Sequence, residues 1–160
     1  MEDIRINLSA PNLISICIDK VNCGEGMGRL YHKYSPEAIL FYDTSQMLME
    51  MEKLYDRLGY PQSTTLSRSF QKSDGEKTCR GDGAKMAENN QVTEQAGEKA
   101  TFVVHVKYRQ NATWQGSVTW AEEQKTCNFR SALELLKLID GALDSTTGTK
   151  NDDSNKALTE

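Results

Sequence analysis

Seven side chains in the C-terminal half have the types that hold an anionic, aromatic ligand: Lys107, Arg109, Gln110, Asn111, Trp114, Trp120 and Arg130. Guanidinium and ammonium groups pair with phosphate, and indole faces stack on bases. Arg109-Gln110-Asn111 falls in a polar stretch between two apolar runs, where a turn leaves side chains free to reach a ligand. Trp114 and Trp120 lie six residues apart, so on a regular strand they share a face. Packing into a core is the competing use of both.

Catalytic chemistry has little to work with. No G-x-S-x-G, H-E-x-x-H, P-loop or G-x-G-x-x-G falls in its required context. Gly24-Glu-Gly-Met-Gly28 lies between two strand-like runs, and a hairpin turn explains it. Cys23 in that turn and His32 beyond it are the one pairing that nucleophilic catalysis would use. Glu50 and Glu52 on a helix, and Glu122-Glu123 in a turn, read as solvated charge. His105 alternates with Val104 and Val106 and so points to the polar side of its strand. The four cysteines (Cys17, Cys23, Cys79, Cys127) contain no C-x-x-C, and with two histidines in the chain they match no zinc spacing. They read as reduced thiols of a cytoplasmic protein. No catalytic residue, metal or cofactor is expected.

Three resemblances rest on short stretches. Phe129-Arg-Ser-Ala-Leu-Glu-Leu-Leu136, preceded by a hairpin, resembles short uncharacterised bacterial proteins with an FRSxxELL helix, which implies a bacterial origin and the fold but no activity. Asn111-Ala-Thr113-Trp-Gln-Gly116 looks like the second half of the cyclic-di-GMP motif of PilZ domains, without the upstream R-x-x-x-R. Phe129-Arg-Ser131-Ala-Leu-Glu134 after a three-strand sheet is similar to AP2-type DNA-binding domains, which implies DNA contact through Arg and Trp of the strands.

The elements that would position these residues come in two sets. In the second, Phe102–Tyr108 and Trp114–Ala121 read as strands, Thr126–Phe129 as a short third strand, and Ser131 with Glu134 as the capping box of a helix. In the first, Leu13–Ile18, Arg29–Tyr34 and Ala38–Tyr42 read as strands, with turns at Asn22–Gly26 and Ser35–Glu37. Asp43 and Gln46 box the helix that follows, and Gly59 and Pro61 end it. The sets superpose without a gap at an offset of 88 residues: Gly28 falls on Gly116, Phe41 on Phe129, Asp43 on Ser131 and Met47 on Leu135. Two copies of one unit are expected. Neither unit covers its own apolar faces, so both are expected in one α+β domain. It would be an antiparallel sheet of four main strands, six with the short ones, with two helices on one face.

The division that follows is a first unit at 1–61, a linker at 62–100, a second unit at 101–144 and a tail at 145–160. Linker and tail hold few large hydrophobes and read as disordered. The net charge of −4 argues against a strongly basic nucleic-acid binder. Residues 1–61 carry six Lys/Arg against nine Asp/Glu, whereas 101–143 carry five against four, so the second unit suits an anion better. No apolar run approaches the ~20 residues of a membrane span. The functional expectation is a non-enzymatic cytoplasmic binding or adaptor protein of bacterial type, with a protein partner and no membrane. The alternative is nucleic-acid or cyclic-dinucleotide binding through the second hairpin.

Overall fold

Ile14, Ile16 and Ile18 alternate with Ser15 and Cys17, and the backbone follows that period of two. The computed structural model describes residues 10, 12–63, 70, 95–110 and 113–148. Its elements are β1 (Leu13–Asn22), β2 (Glu25–His32), β3 (Ser35–Phe41), α1 (Thr44–Leu58), β4 (Ala100–Tyr108), β5 (Gln115–Trp120), β6 (Lys125–Phe129) and α2 (Ala132–Gly148). The six strands form one antiparallel sheet in the order β3-β2-β1-β4-β5-β6. The fold is α+β, as the pattern of strands and helices predicts.

Both helices lie on the sheet face that carries Ile14, Ile16, Ile18, Leu30, Phe102, Val104 and Val118. Met47, Met51, Leu54 and Tyr55 of α1 and Leu135, Ile139, Ala142 and Leu143 of α2 complete that core. Burying each large apolar side chain contributes roughly 1.5–3 kcal/mol. The caps match the expected boxes. Asp43 Oδ1 accepts from the Gln46 amide while Gln46 Oε1 accepts from the Tyr42 amide. Ser131 Oγ accepts from the Glu134 amide while Glu134 Oε2 accepts from the Arg130 amide. Gly59 closes α1 at φ 62°, a left-handed conformation that suits glycine.

The two units share their strand register at the offset of 88. Ile16 opposes Leu30 as Val104 opposes Val118, and Gly28 opposes Phe41 as Gly116 opposes Phe129. Each inner pair carries a bulge at the same place, between Ile18 and Lys20 and between Val106 and Tyr108. The central strands pair Ser15 with Val103, themselves equivalent, so a pseudo-two-fold axis passes through that pair. A Cβ on Gly28 would overlap the carbonyl oxygen of Cys17, and one on Gly116 that of His105, again equivalent residues.

Several boundaries differ from the expectation. Ser35–Glu37 belongs to β3, not to a turn; the turn is at Lys33–Tyr34. Proline misleads there because an edge strand needs no ladder bond from Pro36 on its open side. Helix α2 continues through Ser145–Gly148, and the hydroxyls of Ser145 and Thr146 bond back to the carbonyls of Gly141 and Leu143. The rest of the tail, and most of the linker (64–69 and 71–94), lie outside the described residues. The linker's last residues are held on β1: Glu98 and Lys99 donate their amides to Asp19 and to the Ile18 carbonyl. Among the described residues no helix is long and apolar enough to cross a membrane.

Candidate functional site

Arg109 does not stand free in a turn. It is only 4% exposed. Its Nε donates to the Pro61 carbonyl, and its Nη1 to Glu52 at 3.1 Å and to Asp56 at 2.8 Å. Its guanidinium lies 5.6 Å from the centre of the Tyr55 ring. Trp114 packs edge-on against the same ring, centroids 5.5 Å apart at 86°, and its Nε1 donates to Glu52 across 2.8 Å. The physical reason is the continuous sheet shared by the two units. The pairing of β1 with β4 carries the end of β4 over the C-terminal half of α1, where a buried cation finds two carboxylates. Burial pushes the Tyr55 hydroxyl far above its ordinary pKa, Arg109 acting weakly against this.

The other predicted binding residues are dispersed. Trp120 is half-buried and stacks on Phe102, centroids 6.3 Å apart, and its indole N–H has no acceptor. Both tryptophans therefore face the helices, as their spacing predicts. Lys107, Gln110 and Arg130 are exposed. Asn111 lies outside the described residues. The structure thus joins Arg109 and Trp114 to α1 of the first unit rather than to one another's neighbours in the hairpin.

Cys23 and His32 do not meet. Cys23 lies in the turn before β2 and His32 at the far end of that strand, about 23 Å of extended chain from Glu25 to His32. His32 is buried, and its Nδ1 accepts from the Tyr34 amide. His105 points away from the helices, as expected, but that face buries it too. Cys17, Cys23 and Cys127 are free thiols, and burial raises the Cys17 pKa. On the same face Arg29 holds Asp19 by two bonds, of 2.9 and 3.1 Å. Burial pushes the Asp19 carboxyl up, but Arg29 and the Glu98 amide outweigh it and hold it below the usual range. Among the described residues no group of three or more His, Cys, Asp and Glu could hold a metal ion.

The offset of 88 exposes what the reading of single motifs missed. In the second half the space between the hairpin and α1 is filled by Trp114. The equivalent space in the first half lies between the β1–β2 hairpin and α2, and it is open. It is a cleft of about 330 Å³ bounded by Ile18, Gly26, Phe41, Leu136, Asp140 and Leu143. Gly26 takes the place of Trp114, Asp140 that of Glu52, and Leu143 that of Tyr55. Thr44, Ser45 and Lys137 also line it. Glu25 at its edge accepts from the amide and hydroxyl of Thr44 at 3.0 and 2.8 Å, and these bonds hold its carboxyl below the usual range. Glu52 reads as solvated charge in the sequence because its partners lie 57 and 62 residues away. The signal that would have found the cleft is the glycine aligned with a tryptophan.

The fold and the cleft define a two-helix, six-stranded α+β domain with a recess between a hairpin and a helix. No family model, curated protein or solved structure matches the chain.

Proposed function

We propose that this is a small non-enzymatic binding protein of bacterial type, active in the cytoplasm, whose recognition site for a protein partner is the cleft between the β1–β2 hairpin and α2. One observation carries the reading: the two halves repeat one architecture, and at one equivalent position the second half is packed and the first is open. Close packing is the norm for interiors, so an open recess with apolar walls and a polar rim marks a place where something docks. Among the described residues, the free thiols Cys17, Cys23 and Cys127 fit a reducing compartment. The nucleotide reading of the second hairpin loses support because Arg109 and Trp114 are engaged within the chain.

The test compares capture from cell extract by the wild-type chain, by Gly26→Trp, which fills the cleft, and by Arg130→Ala, an exposed control. A partner identified by mass spectrometry and confirmed with purified protein should bind the first and third and not the second. Equal capture by all three would remove the cleft from the reading. Turnover of a substrate that depends on one polar residue would remove the non-enzymatic claim.

A further inference from the structure

We propose that the cleft receives a tryptophan side chain presented by the partner protein, with its indole N–H donating to Asp140. This rests on the cleft being the recognition site. The second half shows the filled arrangement. Trp114 sits edge-on against Tyr55 and donates to Glu52, with Arg109 bridging Glu52 and Asp56. The first half keeps an apolar wall, with Leu143 in place of Tyr55, and an acid, Asp140, at the place of Glu52, and lacks the tryptophan. Gly26 stands for Trp114 and Val21 for Arg109.

The size and chemistry of the space agree with an indole. About 330 Å³ is at the small end of ligand sites. Ile18, Phe41, Leu136 and Leu143 offer the apolar contact an indole ring needs. Glu25 is already bonded to Thr44, which leaves Asp140 as the acceptor on the helix side. The occupant comes from outside the chain. Of its two tryptophans, Trp114 is engaged by Tyr55 and Glu52 and Trp120 stacks on Phe102, so the folded chain has neither to offer. A side chain is favoured over a free indole because Trp114 enters the equivalent space from a backbone, and Gly24 and Gly26 leave backbone room along the first hairpin.

The 160-residue chain is titrated with N-acetyl-tryptophanamide, with its 1-methylindole counterpart and with free indole, and amide shifts are followed by NMR. N-acetyl-tryptophanamide should shift Gly24, Gly26 and Asp140. The methylated probe, which lacks the donor, should bind about tenfold more weakly, as should the parent probe to Asp140→Ala. Gly26→Trp should abolish the shifts. A Cβ there meets only Ile18 side-chain atoms, at 3.4 and 3.7 Å, and the backbone is outside the left-handed region. If Gly26→Trp does not fold, Asp140→Ala, at an exposed helix position, decides alone. No shift with N-acetyl-tryptophanamide overturns the assignment, as does binding of free indole alone, which would make the cleft a small-molecule site. Self-association that Asp140→Ala dissolves also overturns it. If the probes fail while Gly26→Trp still abolishes partner capture, the cleft stands and only the tryptophan falls.

Discussion

The indole N–H of Trp114 and the guanidinium of Arg109 converge on one carboxylate, Glu52, at 2.8 and 3.1 Å. One acid of the first unit therefore holds two side chains of the second. Trp114→Ala should cost about 3–5 kcal/mol, the range for emptying a buried aromatic site. Arg109→Ala should cost about 2 kcal/mol, because Glu52 and Asp56 are partly exposed and rehydrate when the cation leaves. A double-mutant cycle between Glu52→Ala and Trp114→Phe should give a coupling of about 1 kcal/mol in urea unfolding. Additive effects would mean that the bond contributes nothing.

Gly28 and Gly116 are placed against backbone carbonyls in neighbouring strands. Neither contact has a flexible end that can move aside. Gly28→Ala and Gly116→Ala should each destabilise by about 3 kcal/mol, near the upper end for overpacked sites. Gly26→Ala, whose Cβ would meet only side-chain atoms of Ile18, should change stability by less than about 1 kcal/mol. Melting of the three variants side by side checks the contrast, and a neutral Gly116→Ala would contradict the register between β4 and β5.

The local grammar was legible and the long-range chemistry was not. Caps at Asp43 and Ser131, the alternation in β1 and β4 and the aligned glycines all act within a few residues, where period and propensity decide the outcome. The partners of Arg109 were invisible because they come from another unit, brought there by the pairing of β1 with β4. For the same reason an arginine in a polar stretch reads as available for a ligand when it is buried. The cleft is half legible: the offset of 88 aligns Gly26 with Trp114, but an exchange of glycine for tryptophan marks a space only once the hairpin and helix are known to meet.

The two capping boxes are equivalent, so they should fail alike. Asp43→Ala and Ser131→Ala each remove the acceptor for one amide of the first helical turn, the Gln46 and the Glu134 amide respectively. Each should cost about 1 kcal/mol, and together about 2 kcal/mol because the helices do not share the caps. Replacement by Asn should recover most of the loss in both places. A cost confined to one helix would show that the other end is held by packing alone.

The two histidines set the behaviour near neutral pH. Burial lowers the pKa of His32, with Arg57 adding to the effect, and burial lowers that of His105, with Lys107 adding to it. Nδ1 of His32 also accepts from the Tyr34 amide, a bond that a proton on that nitrogen would break. Both rings thus take a proton less readily in the fold than in the unfolded chain. Stability should be flat above about pH 6.5, the unfolded value, and fall as the pH drops from there toward the lower folded values. Asp19 acts in a separate window. Its lowered pKa gives stability above about pH 4 that is lost only in stronger acid. Thermal melts between pH 8 and 5 should show the decline, and His32→Asn with His105→Asn should flatten it, since Asn keeps an acceptor near the Nδ1 position. A decline that persists unchanged in the double variant would move its origin to other groups.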